Sequence, residues 1–184
     1  MARRHPTQVI PPFPSNIDRT AFGHWLSGFV DGEGCFNLCL PKTIRSRLAI
    51  VFSIRLRADE LPILRQIQSF WHCGTIRFDN YKNSINPICC LQINKVDDLV
   101  NIIIPHFENY PLRAKKQHDF NIWRKGVAIF HEIIKRPRTY RPRKLGYIFS
   151  GTYPKWTNSD LHNIKLLCDE LKTQRLFVSP ILDK

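Results

Sequence analysis

The chain has 184 residues, 43% of them hydrophobic, and this size and composition suit one compact domain with one core. Its 28 Lys and Arg residues outnumber 15 Asp and Glu residues, and the formal net charge of +13 indicates a polyanionic partner, with nucleic acid ahead of a membrane surface. No apolar run approaches the ~20 residues that span a bilayer, and the six cysteines form no CxxC pair, which argues against a membrane protein, a zinc site and a disulfide framework.

The N-terminal region lacks the apolar segment of a secretory signal. Residues 1–19 are basic and rich in proline, so they predict a flexible arm. Cysteines within apolar, strand-like runs are typical of reduced core positions. We therefore expect an intracellular, reducing location, either a bacterial or phage cytoplasm or the interior of an organelle.

The first predicted helix begins at Asp18 or Thr20, either of which can cap it, and ends near Gly32. Its apolar side chains recur at helical spacing, at Phe22, Trp25, Leu26, Phe29 and Val30. Two alternating segments follow, CFNLCLPK and RLAIVFSIRLR, which predict two strands joined across TIRS as a hairpin.

The second helix is predicted within ADELPILRQIQSFWHCG, with Asp59 as its N-cap and Gly74 as its stop. The segments TIRFD and PICCLQI then predict a second hairpin. Asn94 is expected to cap a short third helix that Pro105 terminates.

Apolar periodicity predicts a long helix over residues 114–135 and a final helix that begins near Ser159. The order of elements predicts an α+β fold with a four-stranded, mainly antiparallel sheet and helices on one face. Residues 20–135 form the predicted core domain. Residues 136–184 comprise the basic, proline-interrupted segment KRPRTYRPRK as a linker and the C-terminal helix.

A second line of positions on the first helix is mostly small: Ala21, Trp25, Gly28 and Gly32. Small residues at such spacing allow a second helix backbone to approach closely. The same glycines could instead accommodate the sheet and end the helix. The pattern alone leaves both interpretations open.

The segment WLSGFVDGEG resembles the LAGLIDADG motif of homing endonucleases, with residues 26–34 in place of its nine letters. DELPILRQIQ, GTI and YPLRAKKQHDF resemble later landmarks of the same family, so the resemblance covers residues 20–135. It implies a ββαββα fold with a saddle-shaped DNA-binding sheet, in which two motif helices cross and their acids hold divalent metal at the scissile phosphates. One motif implies a homodimer, with Ala21, Trp25, Gly28 and Gly32 at its interface.

The resemblance also assigns the reactive groups. Glu33, one from each subunit, is expected to bind Mg²⁺ together with the backbone carbonyl of Gly32, and Mn²⁺ or Ca²⁺ can occupy the same site. Asp31 either supports this metal site or fixes the end of the helix. Lys115 and Lys116 match the place of the family's active-site lysine, which offsets charge on the phosphate.

One position departs from the family's pattern. Leu56 aligns where some single-motif relatives carry a glutamine that organises the water shell. Its neighbours Arg55 and Arg57 could orient solvent or phosphate instead. Which group takes this role stays open at the level of sequence.

An open antiparallel sheet can lie in the major groove of DNA, where one alternating set of side chains meets the bases. By that alternation the reading set is Asn37, Cys39, Pro41, Arg45, Arg47, Ser53, Arg55, Arg57, Arg77, Asp79 and Cys89. Arg77 is the best candidate for a guanine contact, because a guanidinium matches the two acceptors of that base. Phosphate contacts are predicted at Lys42, Lys82, Lys135, Arg136, Arg138, Arg141, Arg143 and Lys144.

The predicted function is site-specific, Mg²⁺-dependent cleavage of both strands of a long, pseudo-palindromic DNA target. The alternative is a maturase that binds its own intron RNA and aids splicing on the same fold. A DNA-binding regulator without chemistry is a third hypothesis, but Glu33 argues against it, since a pure binder gains nothing from acids placed against phosphates.

Overall fold

The computed structural model describes residues 9–40, 49–79, 87–136, 139–141, 151–153 and 156–176. None of the described helices combines the length and the apolar character that a bilayer crossing requires. The elements are α1 (Arg19–Glu33), β1 (Gly34–Cys39), β2 (Ala49–Arg57), a 3₁₀ turn (Ala58–Glu60), α2 (Leu61–Trp71), β3 (Thr75–Asp79), β4 (Ile88–Ile93), α3 (Val96–Asp98), a π-helical segment (Leu99–Ile103), α4 (Ile104–Asn109), α5 (Lys116–Lys135), β5 (Thr139–Arg141), β6 (Gly151–Tyr153) and α6 (Asn158–Arg175).

The first four strands form one antiparallel sheet in the order β1-β2-β4-β3. Strand β4 lies between β2 and β3, so that Ile54 and Ile76 both pair with Leu91. This arrangement confirms the predicted α+β class and the four-stranded sheet. Part of the segment predicted as a linker also forms structure, since β5 pairs antiparallel with β6 in a separate two-stranded sheet.

The chain divides into two compact units, one of Met1–Asn37 with Val51–Gln117 and one of Leu38–Ile50 with His118–Lys184. In the first unit, helices cover one face of the sheet through aromatic contacts. Phe52 lies 5.5 Å from Trp71 of α2, and Phe36 lies 5.5 Å from Phe107 of α4, between ring centroids. These rings form the core beneath α1, whose Leu26 and Val30 are fully buried.

The second unit is built on α5 and α6. Trp123, Val127 and Ile164 are fully buried there. Two ion pairs join the helices: Arg136 binds both carboxylate oxygens of Asp160, and Arg175 binds Asp119 at 3.0 Å. Hydrogen bonding to Arg136 holds the pKa of Asp160 below its usual range.

A capping box also begins α6. Thr157 accepts a hydrogen bond from the backbone N–H of Asp160, whose carboxylate accepts one from the backbone N–H of Thr157. The Thr-x-x-Asp pattern was available in the sequence and was missed, although the predicted start near Ser159 is correct to one residue.

The start of the first helix agrees with the prediction, and both ends of the second helix differ from it. Helix α1 begins as predicted after Asp18, whose side chain accepts from the N–H groups of Thr20 and Ala21. Asp59 does not cap α2: it lies in the 3₁₀ turn and pairs with Arg57 at 2.7 Å, because the turn inserts three residues before the helix. The chain leaves α2 at His72, which adopts the left-handed conformation (φ 51°) ahead of Gly74 (φ 90°).

The prediction that Pro105 ends the third helix is wrong. Helical backbone continues through the π segment into α4 and stops at Asn109, and Pro105 lies in the first turn of α4. Proline is tolerated there because a first-turn residue needs no N–H donor, and the wider π turn precedes it. Asn94 is not the cap either, since Lys95 holds that position without a side-chain hydrogen bond.

Candidate functional site

The predicted metal ligand, Glu33, is the last residue of α1, and its side chain is exposed. Helix α1 ends there because Gly34 takes up extended backbone and starts β1. Glu33 lines an open groove of about 330 Å³ whose other lining residues are Phe29, Arg55, Leu56, Arg57, Glu60 and Ile88. The structure thus brings together the motif acid and both arginines of β2.

The groove carries both signs of charge. Arg55 and Arg57 are exposed at the end of β2, and Arg57 pairs with Asp59 at the surface. Leu56 lines the groove with apolar atoms only, so it cannot take the water-organising role of a glutamine. Glu60, a second acid in the groove, was not selected from the sequence, because only the turn after β2 brings it close to the end of α1.

Asp31 has a different environment from Glu33. Its Oδ2 accepts two backbone hydrogen bonds, from the N–H of Arg113 at 2.8 Å and that of Ala114 at 3.2 Å. Its Oδ1 is buried and has no hydrogen-bond partner among the described residues. Asp31 therefore fastens the segment that leads directly into Lys115 and Lys116.

The oxygen ligands near Glu33 are of the type that a hard divalent cation takes, but they are few. Carboxylate and carbonyl oxygens are the ligands that Mg²⁺ prefers, and Mg²⁺ retains several waters and so needs few protein ligands. Within the described parts of a single chain, no group of three His, Cys, Asp or Glu residues could hold a metal ion. Glu33 and Glu60 both line the groove, so two carboxylates of the kind that Mg²⁺ takes are present there.

The predicted dimer face of α1 is exposed in this chain. Ala21, Gly28 and Gly32 are all solvent-exposed, and the Trp25 ring is 43% exposed while it stacks on Phe29 at 5.1 Å. A Cβ atom added at Gly28 or Gly32 would meet none of the described residues within 4 Å. The described part of the chain thus gives no reason for glycine at these two positions.

The bare face of the sheet presents rows of side chains across three strands. The register places Arg55, Cys90 and Arg77 in one row and Ser53, Gln92 and Thr75 in the next. Arg55 and Arg77 are exposed, as predicted for DNA-reading positions. Asn37 and Cys39 also lie on the more accessible alternation of β1.

Two of the predicted reading residues are not accessible. Cys89 shares its alternation with Leu91 and Ile93, is fully buried, and lies 3.1 Å from the carbonyl of Arg57. Burial raises the pKa of its thiol. The prediction for Cys89 is therefore wrong by one position: Cys90 lies on the same side of the sheet as Arg55 but is itself only 6% exposed. Ser53 is on the correct alternation but is only 6% exposed within its central strand.

The remaining predicted DNA contacts divide into two groups. Arg136 is engaged with Asp160, so the prediction that it binds phosphate does not agree with the structure. Lys135 is exposed and pairs with Glu132 at 2.9 Å. The others fall outside the described residues or have no described side chain: Pro41, Lys42, Arg45, Arg47, Asp79, Lys82, Arg138, Arg141, Arg143 and Lys144.

Comparison with protein families decides the relationship that the motif implied. The model of the LAGLIDADG endonuclease family matches residues 26–127, more than half of the chain. This chain belongs to the LAGLIDADG endonuclease family. The match begins at the first motif residue, Leu26, and extends into α5.

Similar proteins and structures agree with this membership. The chain is 30% identical over 98 residues to the probable intron-encoded endonuclease 2 of Neurospora crassa, covering 53% of this chain and 20% of that protein. It is 35% identical over 117 residues to the probable intron-encoded endonuclease aI3 of Dictyostelium citrinum, covering 64% of this chain and 43% of that protein. The chain thus spans less than half the length of these relatives.

Solved structures show the same LAGLIDADG fold. The I-LtrWI LAGLIDADG homing endonuclease bound to target DNA superposes with a TM-score of 0.65 at 20% identity, covering 90% of this chain and 48% of that one. The I-SmaMI LAGLIDADG homing endonuclease bound to cleaved DNA gives a TM-score of 0.64 at 23% identity, covering 90% and 48%. At this identity the likeness establishes the fold, and the predicted ββαββα arrangement is confirmed.

Proposed function

We propose that the chain is a homing endonuclease that cuts both strands of a long, pseudo-palindromic DNA target as a homodimer, with Mg²⁺ as its cofactor. The observation that carries the proposal is the end of α1. Glu33 is exposed there, beside a helix face where a Cβ added at either glycine would meet none of the described residues within 4 Å. Two copies that cross along this face would bring two Glu33 carboxylates together, and carboxylates are the ligands that Mg²⁺ prefers.

The relatives support the nuclease over the maturase alternative. The proteins compared above are named as intron-encoded endonucleases, and the two solved structures are named as homing endonucleases bound to DNA. The matched part of this chain corresponds to about half of each solved chain, so two copies would supply a matching pair of units. The intron origin of the relatives also suggests that this chain acts in the compartment of an intron-bearing genome.

The chain's own residues would perform most of the work. Bound Mg²⁺ would supply charge neutralisation at the phosphate and an activated water. Arg55 and Arg57, which line the groove with Glu33, would hold the phosphate and orient solvent in place of the absent glutamine. Lys115 and Lys116, at the start of α5, would offset charge on the transferring phosphate.

The sheet would read the target. Arg55 and Arg77 are separated only by Cys90 in one row across the sheet, which suits two guanidinium groups in one major groove. Asn37 and Cys39 would extend this surface along β1. Contacts to phosphates would position the dimer without specifying sequence.

Substitution of Glu33 by glutamine tests the proposal. Glu33→Gln removes the charge that the metal needs, so we expect cleavage in Mg²⁺ to fall by at least on the order of 10³-fold, since metal catalysis contributes several kcal/mol. DNA affinity should be equal or higher, because a carboxylate no longer faces phosphates. This inactive variant can also select the target from a randomised DNA library by binding alone.

Single-turnover cleavage of the selected DNA is the measurement, with and without a chelator. Glu170→Gln, an exposed glutamate on α6, is the matched control and should cleave like the wild type. Mg²⁺ or Mn²⁺ added after chelation should restore activity, and Ca²⁺ should compete for the site. If the wild type leaves every selected DNA intact and instead binds its intron transcript tightly, the maturase alternative replaces the proposal.

A further inference from the structure

One face of α1 is occupied by the segment that leads into α5. Gly23, Ser27 and Asp31 follow each other at intervals of four residues, so they form one line along the helix. We call this line the inner stripe. All three contact residues of the segment Tyr110–Ala114, which lies more than eighty positions later in the chain.

The first two positions of the inner stripe hold Tyr110. A Cβ atom at Gly23 would come within 2.7 Å of the Tyr110 ring, so only glycine lets the ring rest on the helix. Four residues on, the Ser27 hydroxyl donates a 2.6 Å hydrogen bond to the backbone carbonyl of Tyr110. The ring of His24 also meets that of Tyr110 edge to face at 4.9 Å.

The third position receives the end of the segment. The Asp31 carboxylate accepts from the N–H groups of Arg113 and Ala114. From Gly23 to Asp31 the helix rises roughly 12 Å, and the four Cα–Cα steps from Tyr110 to Ala114 can span at most roughly 14 Å. The segment therefore runs beside α1 toward its C-terminal end, and it is fastened at both of its own ends.

We propose that the inner stripe positions the lysine turn, Lys115 and Lys116, relative to Glu33, with Asp31 as a positioning residue and not a metal ligand. Asp31 is two residues before Glu33 on the same helix, and Ala114 directly precedes Lys115. The two hydrogen bonds thus connect the end of α1 that carries Glu33 to the turn that carries the lysines. Only one residue separates Asp31 from Glu33, and none separates Ala114 from Lys115. This inference rests on the proposed function, because it concerns the lysines assigned there.

The hydrogen bonds of Asp31 indicate which substitution should preserve its positioning role. Only Oδ2 is engaged, while Oδ1 has no hydrogen-bond partner in the described part of the chain. A single amide oxygen can accept the same two N–H groups, so Asp31→Asn should retain the tether without the charge. Asp31→Leu has the same branching at Cγ, with two methyl groups in place of the carboxylate oxygens, and no acceptor, so it should lose the tether.

The test compares these two variants in single-turnover cleavage. Asp31→Leu should lower the cleavage rate constant by on the order of 10²-fold, since a misplacement of about 1 Å has that effect. Asp31→Asn should recover most of the rate. For both variants, the DNA dissociation constant and the Mg²⁺ concentration at half-maximal rate should stay near the wild-type values.

Other outcomes overturn the inference. If Asp31→Asn is as inactive as Asp31→Leu and needs more Mg²⁺, Asp31 acts through its charge at the metal. If Asp31→Leu cleaves like the wild type, the tether has no catalytic role. Ile164→Ala, in the core of α6, controls for a general loss of stability. It should lower the melting temperature without the selective loss of rate.

Hydrogen exchange at the Arg113 and Ala114 amides gives a readout that does not need activity. These amides should be protected in the wild type and in Asp31→Asn but exchange quickly in Asp31→Leu, and equal exchange in all three would refute the tether. If the amides are protected but the wild type cleaves no DNA, the proposed function fails while the tether stands. Where Asp31→Leu does not fold, Ser27→Ala serves instead and should slow cleavage several-fold at unchanged DNA affinity.

Discussion

The two glycine-containing faces of α1 have opposite environments. On the inner stripe, Gly23 touches the ring of Tyr110, and a Cβ there would lie 2.7 Å from it. On the predicted dimer face, a Cβ at Gly28 or Gly32 would meet none of the described side chains or backbone within 4 Å. A contact within the chain therefore explains glycine at position 23, whereas for Gly28 and Gly32 we propose a contact with a second copy of the chain.

The two acids of the motif, Asp31 and Glu33, also have different environments. Asp31 belongs to the inner stripe and is bonded to the backbone of its own chain, whereas Glu33 is exposed at the end of the helix. An acid near a helix C-terminus opposes the macrodipole. Two N–H donors offset this for Asp31, and we propose that a metal ion offsets it for Glu33. Each prediction below changes one face and leaves the other intact.

The largest expected effect is a loss of folding stability at low pH, caused by a buried histidine beside the inner stripe. His106 is packed among Phe70, Trp71, Phe107 and Tyr110, with Nε2 3.4 Å from the Ser27 hydroxyl. Burial lowers the pKa of His106 from 6.5 to about 4. The unfolded chain therefore binds more protons between these values, and the stability that neutral His106 provides is complete above pH 6.5 and lost as the pH falls toward 4.

The expected loss across that window is about 3 kcal/mol in the free energy of unfolding. Urea unfolding at pH 7 and pH 4.5 measures it, with His106→Gln as the comparison. The difference between the two pH values should shrink in that variant. An undiminished difference would show that another group carries the pH dependence.

Alanine at Gly23 should have the next largest effect. The substitution gains helix propensity, up to ~1 kcal/mol, but it forces Cβ into Tyr110, and such overpacking costs 1–3 kcal/mol or more. Gly28→Ala has the same gain without the clash, so the two variants should differ by about 2 kcal/mol in the free energy of unfolding. Equal stabilities would mean that Tyr110 moves aside freely and that the two faces do not differ.

Valine at Gly28 should weaken dimerisation while the chain still folds. A Cβ at this position meets none of the described residues within 4 Å, but the valine side chain would hold two crossing helices apart. We therefore expect at least a tenfold higher dimer dissociation constant, about 1.4 kcal/mol. Sedimentation equilibrium measures this. Ala128→Val, at an exposed position of α5, is the matched control and should associate normally. A wild-type dissociation constant for Gly28→Val would place the interface elsewhere.

Local signals predicted much of the fold. Apolar periodicity located α1, α2, α5 and α6, and the alternating segments located all four strands of the main sheet. The errors have local causes. Cys89 and Cys90 are adjacent and of the same residue type, so hydrophobic alternation does not distinguish them. Only the pairing with β2 shows which one faces the core. Pro105 predicts a helix end from sequence alone, because no sequence signal marks the π segment that precedes it.

The site was less predictable than the fold. Glu33 and its groove arginines were identified from the motif and the adjacent strand, and the structure places them together. Glu60 was missed because it enters the groove through a turn, and Ser53 was misjudged because its position in a central strand buries it. The predicted domain boundaries, the homodimer and the metal stay predictions.

By itself the sequence determined the family, the order of elements and the charge that suits a polyanion, because motif, periodicity and composition are properties of neighbouring residues. Only the tertiary structure decided which acid is tethered and which is exposed, and which glycine has a partner within the chain. Those distinctions depend on contacts between α1 and a segment more than eighty residues away. No local pattern records such contacts, since they exist only when the whole first unit has packed.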